Sequence, residues 1–567
     1  MYHYSIYTFN DTHTSVSQNM SKGHTMTWTN TAGYDWNINA DQSLNALVGM
    51  EAIRYQGTSV GAGNWDLKPM FNDWQHAFVD NTENTSSDGK SLSGSPSNIY
   101  RRLSYFGRLS YNYKEKHLLN ATLRADASSK FAKGHRWGYF PSVSAGWIVT
   151  AEDFASSVTD VLDYFKLRVS WGQVGNQNID DFQYAAPIKT TTTNYIFGTP
   201  ELGAEANQWG AYPDRLANAN LKWETSEQTN IGFDAHLINK LSVNADFYIK
   251  TTKDWLVVAP ILGTVGTGAP YINGGDVKNT GVELALNYND RIGGLNYTVG
   301  VNGAWNKNVV GKIPTADPTQ PGIIHGQTAM LYDNSEEFYR AEDGYAIGYF
   351  RGYQTCGIFQ NAQEIAEWRA AGNGILQSGV RPGDVKYVDQ NHDGMINDLD
   401  KTDLGNGLPD FTCGLSLGLE YKNFDFSVNA TGMAGNEIVQ SLRNHTNVKS
   451  NYTTSVLQRW TGEGTSNRIP RVTETNINWQ FSDLYIHDGD FLRISNITLG
   501  YDFSKLADNK YVNQVRLYVQ VQNAFTFTRY NGMDPEIGYG MDGWVSGVDL
   551  GYYPRPRTFL VGANIKF

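Results

Sequence analysis

The sequence contains no apolar run that approaches the roughly 18 residues needed for a membrane-spanning helix, and its mean hydropathy is −0.45. It has only two cysteines, Cys356 and Cys413, so it carries neither a disulfide framework nor a cysteine-rich zinc motif. The first ten residues lack the basic and apolar regions of a signal peptide. These absences argue against a helical membrane protein and a small disulfide-rich domain.

Charged residues are also scarce, at 18% of the chain against about a quarter in an ordinary soluble protein. The formal net charge of −12 argues against a nucleic-acid partner. Aromatic residues are abundant at 13%. A polar average with many aromatics is typical of a transmembrane β-barrel, whose interior is polar, and also of a large secreted β protein. Composition alone leaves both classes open.

The chain ends in a segment that alternates strictly between apolar and polar residues. Phe559, Val561, Ile565 and the terminal Phe567 fall on one face, and residues between them fall on the other. The same alternation recurs in segments 119–128, 165–172, 241–250, 295–305 and 515–528. Their polar faces carry charges that a dry sandwich core would not accept without partners, but that can line a water-filled lumen. The pattern predicts an all-β, transmembrane antiparallel meander whose apolar faces contact lipid.

The connections between the predicted strands alternate between short and long. The long ones are expected near residues 59–98, 176–220, 256–278, 309–409, 436–487 and 529–555. Short periplasmic turns on one rim and long outer loops on the other are typical of bacterial outer-membrane barrels. Residues 1–22 are predicted to be an outer-loop remnant, and residues 23–567 the barrel portion, with 309–409 as a long extracellular loop.

The strand count is about fifteen, an odd number, whereas bacterial barrels have even numbers of strands. Counting back from a final strand that ends in the periplasm, the first strand, near 24–38, runs inward. A fifteen-stranded sheet would leave unpaired edges, which the interior of a membrane does not tolerate. The sequence therefore predicts the C-terminal part of a larger barrel.

Several segments match a known family in order along nearly the whole chain. They are YFGRLSYNY (105–113), WGYFPSVSAGW (137–147), LRVSWGQVGNQN (167–178), GDVKYVDQNHDG (383–394), DGDFLRISNITLGY (488–501), QNAF (522–525) and PRPRTF (554–559). With these motifs the chain resembles the SusC/RagA-type TonB-dependent outer-membrane transporters. The resemblance implies a 22-stranded barrel of which this chain holds the last fifteen strands, without the N-terminal plug domain and its TonB box.

The resemblance also implies a function. Members of this family import nutrients, usually glycans or peptides, across the outer membrane by binding and gating, so no enzymatic chemistry and no organic cofactor are expected. It implies a SusD-like surface lipoprotein as a lid and the TonB–ExbB–ExbD complex as the energy source. We expect the 309–409 and 436–487 loops, including a short helix at 361–371, to form much of the surface that meets the lid.

One loop motif indicates a metal site. Side-chain oxygens of Asp389, Asn391 and Asp393, the main-chain carbonyl of Met395 and the carboxylate of Asp400 follow the spacing of an EF-hand loop, with Gly394 at the sixth position. The motif predicts a structural calcium site that orders the long loop. The alternative is a polar turn, because Asn, Asp and Gly are also the common turn residues.

Two other functions remain open from the sequence. A secreted β-rich glycan-active enzyme would be soluble without detergent. A passive porin-like channel would need an even, closed barrel that starts at residue 1, which the odd strand count argues against.

Overall fold

The computed structural model describes residues 13–71, 73–190, 194–196, 207–259, 265–315, 319, 321–326, 337–442, 451–475, 477–503, 514–537 and 543–567. Within this part of the chain, fifteen strands form one antiparallel sheet in which strands that follow one another in the set are paired. The strands are β1 (Ser15–Asn39), β2 (Gln42–Trp65), β3 (Ser91–Tyr113), β4 (His117–Ser128), β5 (Trp137–Ile148), β6 (Leu162–Asn176), β7 (Glu224–Leu237), β8 (Leu241–Lys253), β9 (Val277–Ile292), β10 (Leu295–Val310), β11 (Phe411–Tyr421), β12 (Phe424–Ala434), β13 (Phe491–Asp502), β14 (Gln514–Thr528) and β15 (Thr558–Lys566). The predicted antiparallel meander is confirmed.

The apolar face of the sheet is uncovered, as the sequence predicts. Leu123, Val169, Phe247 and Val519 all lie on this face, and their side chains are exposed. In a sandwich they would be packed against a second sheet. An exposed apolar band along a whole sheet is what a lipid-facing surface requires.

The predicted alternation of short and long connections is confirmed for most of the sheet, but not between β4 and β6, where the outer connection 129–136 is shorter than the inner connection 149–161. Short turns join the strands at residues 40–41, 114–116, 238–240, 293–294 and 422–423, and long loops occupy 66–90, 177–223, 254–276, 311–410, 435–490 and 529–557. Two of the short turns have paired positive φ angles, at Lys114 and Glu115 and at Ile238 and Asn239. Such turns match the right-handed twist of the strands they join, so they close tight hairpins on one rim of the sheet.

The prediction for the start of the chain is partly wrong. Strand β1 begins at Ser15 instead of near residue 24, so residues 15–22 belong to a strand and not to an outer-loop remnant. Ser15 pairs with Trp65 and Met20 pairs with Val60, which extends both β1 and β2 beyond their predicted bounds. The segment 15–23 is polar and lacks apolar alternation, and main-chain pairing with β2 holds it in the sheet. Residues 1–12 of this prediction lie outside the described residues.

The outer loops contain their own secondary structure. Their strands are Ile188–Lys189, Asn194–Ile196, Asn207–Trp209, Tyr212–Pro213, Leu256–Val258, Tyr271–Asn273, Ile323–His325, Tyr339–Glu342, Tyr349–Tyr353, Thr355–Ile358, Val385–Tyr387, Lys401–Asp403, Glu437–Gln440, Ile486–Asp488 and Val548–Asp549. Short 3-10 turns lie in these loops at Pro69–Phe71, Val79–Asn81, Asp398–Asp400, Thr454–Gln458 and Asp483–Tyr485, whereas those at Val149–Ala151 and Asp153–Ala155 lie on the opposite rim, between β5 and β6. The outer rim is therefore a folded layer.

The predicted short helix is present as α1 (Ala362–Ala370). The side chain of Asn361 caps it by accepting a hydrogen bond from the main-chain N–H of Glu364 at 2.9 Å. Ile365 is buried, whereas Gln363 and Glu367 face solvent. No helix in the described part of the chain is long and apolar enough to cross a membrane.

Three of the long loops share one hydrophobic core, which we call the loop core. Its buried members are Phe338, Tyr339 and Phe350 from loop 311–410, Val439, Phe481 and Tyr485 from loop 435–490, and Val545 and Val548 from loop 529–557. The parallel pairing of Val439 with Val548 joins two of these loops through their main chains as well. Because burying aromatic and aliphatic side chains is the main favourable term in folding, each loop is held in place by the other two.

Candidate functional site

The polar face of the sheet carries charged side chains that are paired with one another. The guanidinium of Arg168 on β6 donates from Nε to Asp234 on β7 at 2.9 Å and from Nη2 to Asp246 on β8 at 3.0 Å. Asn244 donates a further hydrogen bond to the Asp234 carboxylate at 2.7 Å. Hydrogen-bonded ion pairs of this kind are stronger than neutral hydrogen bonds and fix the orientation of the arginine.

A glycine makes this network possible. Gly232 on β7 lies in register between Arg168 and Asp246, opposite both residues. A Cβ atom at this position would collide with the Asp246 carboxylate and would lie 2.6 Å from the carbonyl oxygen of Ala245. The absence of a side chain at Gly232 therefore opens the space through which the guanidinium reaches the second strand.

Two further networks line the same face. Glu51 on β2 accepts hydrogen bonds from Arg102 at 2.9 Å and from Arg124 at 3.3 Å. On the last strands, Arg516 on β14 binds Asp425 on β12 across β13, with Nε 2.8 Å from Oδ1. The charges predicted to line a lumen are thus on one face of the sheet and have partners there.

The outer layer contains a cavity of about 390 Å³, between loop 435–490 and the start of loop 529–557. Its aromatic wall is formed by Tyr452, Trp479 and Tyr485, of which Trp479 and Tyr485 pack edge to face with their ring centroids 5.9 Å apart. Gln440 and Asn531 supply amide groups, and the Gln440 amide donates to the Asn531 side chain at 3.2 Å. A small, partly apolar cavity with a few convergent polar groups is typical of a ligand site.

Sequence reasoning missed this cavity. The residues that form it come from segments of the chain that are far apart, and none belongs to a recognised motif. A signal was nevertheless present, because segment 438–462 contains no Asp or Glu although the chain as a whole is acidic.

The predicted calcium-binding residues lie together in one turn of loop 311–410. The Asp389 carboxylate accepts a hydrogen bond from the main-chain N–H of Gly394 at 2.8 Å, and Asp393 accepts one from Met395 at 2.8 Å. Asp400 is fully buried and accepts from the main-chain N–H groups of Gln390 and Asn397 at 2.9 and 2.7 Å.

These contacts fit the alternative of a polar turn, although each carboxylate oxygen has a second lone pair that a cation could use. Asn391 also follows the turn pattern, because its side-chain oxygen accepts a hydrogen bond from the main-chain N–H of Asp393 at 3.0 Å. Within the described ranges, no group of three or more His, Cys, Asp and Glu side chains is arranged to hold a metal ion. The calcium site stays a prediction.

The sheet has a lipid-facing apolar face and a polar face with paired charges. Tight turns lie on one rim and a folded layer of loops on the other. This combination defines a β-barrel of the bacterial outer membrane. The sequence profile of the family described as "TonB dependent receptor-like, beta-barrel" matches residues 2–524. The chain belongs to this family of outer-membrane transporters. The family assignment favours the barrel over the secreted enzyme.

Individual relatives agree with this assignment. The chain is 31% identical to TonB-dependent receptor SusC of Bacteroides thetaiotaomicron over 82% of its own length and 44% of the relative. It is also 31% identical to TonB-dependent receptor P3 of Formosa agariphila, over 82% of this chain and 45% of the relative. The predicted resemblance to SusC-type receptors is confirmed, and the chain spans about half the length of the curated relatives it matches.

The fold is also similar to that of a solved structure titled "Structure of the RagAB peptide transporter". The TM-score is 0.77 at 22% sequence identity, and the match covers 98% of this chain and 56% of the other. At this level of identity the similarity concerns the fold. It agrees with the family assignment made from sequence.

Proposed function

We propose that this chain forms part of the barrel wall and the outer loops of a SusC-like importer. The importer moves glycans or peptides across the outer membrane. The observation that carries the proposal is the combination of a lipid-facing sheet with a charge-paired polar face and a folded outer layer that encloses a cavity. Passage of a polar cargo needs a hydrated, polar lining, and selection of that cargo needs a shaped outer site. Both features belong to this chain.

The barrel itself is proposed to be larger than the fifteen described strands. In the described sheet, β1 has only β2 as a neighbour and β15 has only β14. Free strand edges are not stable inside a bilayer, so further strands would have to close the barrel. A total of 22 strands, a plug domain and coupling through TonB–ExbB–ExbD are proposals that rest on the resemblance.

We also propose a SusD-like surface lipoprotein as the partner of the outer layer. Helix α1 offers solvent-facing polar side chains on a rigid base, because Lys386 pairs with Glu364 and Asn361 donates a hydrogen bond to Glu463 at 2.7 Å. Exposed elements on a rigid scaffold commonly carry binding functions.

The transport proposal is tested by uptake of fluorescently labelled oligosaccharides and peptides into cells that carry the chain joined to the plug domain and early strands of a SusC-type relative. We expect uptake that disappears when TonB is deleted, and no uptake in cells that carry this chain alone. Uptake that persists without TonB would instead indicate a passive channel. TonB-dependent uptake by this chain alone would contradict the proposed need for a plug.

The partner proposal has its own test. Deletion of residues 361–372 should reduce co-purification of the surface lipoprotein with the barrel from detergent-solubilised membranes. The control is deletion of 73–76, which removes exposed residues from loop 66–90. Unchanged recovery of the lipoprotein after the first deletion would count against this surface.

A further inference from the structure

The cavity in the outer layer differs in charge from the rest of the protein. The chain carries a formal net charge of −12, yet none of the described side chains that line the cavity is a carboxylate. Arginines at three positions line it instead, namely Arg468, Arg471 and Arg529. An acidic protein that keeps its carboxylates away from one cavity has a local potential there that favours anions.

The three arginines differ in how far their charge is compensated. Arg471 is neutralised, because its Nε lies 2.7 Å from the buried carboxylate of Asp384. Arg529 is only loosely paired, with Nη1 3.7 Å from Asp488 and 89% of its side chain exposed. Arg468 forms no ion pair with any carboxylate of the described residues. Two guanidinium groups at the cavity therefore keep hydrogen-bond donors available to a ligand.

His487 adds a polar group without adding a charge at neutral pH. Burial and the nearby Arg468 lower the pKa of His487 below its ordinary value, against a smaller opposite effect of Asp549. Asp549 itself is fully buried and accepts a hydrogen bond from the hydroxyl of Tyr530, whose ring packs edge-on against His487. This carboxylate therefore does not line the cavity, and the neutral imidazole can exchange a hydrogen bond with a ligand.

The remaining wall suits a sugar ring. Tyr452 and Trp479 offer aromatic surface, and Gln440 and Asn531 offer amide groups beside it. Aromatic rings pack against apolar faces, while amides and hydroxyls exchange hydrogen bonds with polar edges. The volume of about 390 Å³ lies within the range of small-molecule sites.

We propose that this cavity binds the acidic group of a charged oligosaccharide, a carboxylate or a sulfate ester, with Arg468 and Arg529 as its cationic ligands. A planar guanidinium binds either group through two parallel hydrogen bonds, and the anion supplies the counter-charge that these arginines lack. The inference deepens and rests on the proposed import function, since it names the class of cargo. The cavity serves as an outer selection site for acidic glycans.

The test measures binding to the purified, detergent-solubilised transporter that contains this chain, with tetragalacturonate as the carboxylated probe. Its methyl-esterified form is the uncharged control of the same size and stereochemistry, and a sulfated galactose tetrasaccharide tests the second source of negative charge. We expect the charged sugars to bind at least tenfold more tightly than the ester, and added salt to weaken that binding. Equal binding of tetragalacturonate and its ester would overturn the proposal.

Variants locate the site. Arg468→Gln and Arg529→Gln should each weaken binding of tetragalacturonate about tenfold or more, whereas Arg468→Lys, which keeps the charge but loses the planar fork, should lose less. Arg369→Gln is the matched control, because it removes an exposed arginine from helix α1, away from the cavity lining. Unchanged binding by Arg468→Gln would overturn the assignment of this arginine, and both arginine variants behaving as wild type would overturn the site.

The cargo class is tested separately from transport. Tighter binding of tetraglutamate than of tetragalacturonate would overturn the assignment to sugars in favour of acidic peptides. Binding in detergent needs neither TonB nor a plug domain. Binding without TonB-dependent uptake would thus contradict the import function and leave the anion site standing, whereas uptake of neutral sugars only would contradict the anion site.

Discussion

Arg168 and Asp246 form an ion pair although strand β7 lies between the strands that carry them. The guanidinium crosses this strand at Gly232, where a side chain would occupy the same space as the Asp246 carboxylate. The same arrangement recurs at Gly500, where a Cβ atom would collide with Asp425 and with Arg516. At these two positions, a glycine thus allows charges on strands that are not adjacent to meet on the polar face.

Replacement of Gly232 by alanine tests this relationship. We expect Gly232→Ala to separate Arg168 from Asp246 and to lower the free energy of unfolding by on the order of 1–3 kcal/mol, a range typical of a disrupted charge network. Thermal unfolding in detergent measures the effect. The control is Gly418→Ala on the same face, where the nearest atom to an added Cβ is Thr298 Cβ at 3.8 Å. Equal stability of both variants would contradict a role for the space that the missing side chain of Gly232 leaves between Arg168 and Asp246.

The loop core is tested by Phe481→Ala. Phe481 is fully buried, and its ring centroid lies 4.9 Å from that of Phe338 in another loop. Removal of a buried phenylalanine costs about 3–5 kcal/mol, so we expect faster proteolysis in loops 311–410 and 529–557 as well as in its own loop. Trp74→Ala, at a side chain that is 97% exposed, should change nothing. Proteolysis that increases only in loop 435–490 would show that the loops are independent.

Glu437 gives the outer layer a pH dependence. Burial and the nearby carboxylates of Asp403, Asp410 and Asp490 raise the pKa of Glu437, while the main-chain N–H of Asn406 opposes this shift. A raised pKa means that the folded state binds a proton more tightly than the unfolded state. Stability is therefore greatest below the ordinary pKa of glutamate and falls as pH rises through the raised value.

We expect the loops to resist thermal unfolding better at mildly acidic pH than at pH 8. The measurement is the melting temperature, followed by tryptophan fluorescence between pH 4 and pH 8. Glu437→Gln removes the titration and keeps an oxygen for the Asn406 N–H, so part of this slope should disappear. The remaining slope reports other groups such as Asp403, whose pKa burial also raises. A slope identical to wild type in this variant would disprove the assignment.

The predicted calcium site is tested by chelation. If a cation occupies the turn, EGTA should increase cleavage of loop 311–410 in the wild-type protein, and calcium should reverse the effect. The double variant Asp389→Ala, Asp393→Ala should be cleaved faster than wild type only when calcium is present. Glu367→Ala on helix α1 is the control for loss of an exposed carboxylate. Cleavage that does not respond to EGTA would establish the polar turn.

The sheet could be predicted from the sequence because its signal is local. Alternating segments such as 515–528 repeat every second residue, and this period follows directly from strand geometry. The same rule fails at Ser15, where the strand continues without alternation because main-chain pairing with Trp65 does not depend on side-chain polarity. The part of a strand that is hydrogen-bonded can be longer than the part that faces lipid. Only the lipid-facing part produces an alternating hydrophobic pattern in the sequence.

The loop core and the cavity could not be predicted in the same way. Phe338, Phe481 and Val548 are far apart in the chain and share no period, so their contact follows from the neighbouring positions of strands β10 to β15, whose outer ends carry the three loops. The calcium motif is the opposite case, and its cation stays a prediction. Its spacing is local and conspicuous, yet in the structure Asp389 and Asp400 bind main-chain N–H groups of their own turn.

The shared core of three loops has a consequence for how specificity can change in this protein. A loop that packed only against its own strands could be exchanged between relatives without changes elsewhere. Here, Tyr339, Tyr485 and Val548 must fit one another, so a transplanted loop would bring a mismatched surface into a closed interior. Recombination that alters selectivity is therefore expected to succeed only when all three loops come from the same parent. The exchanged stretch of gene would have to run from the first of these loops to the last.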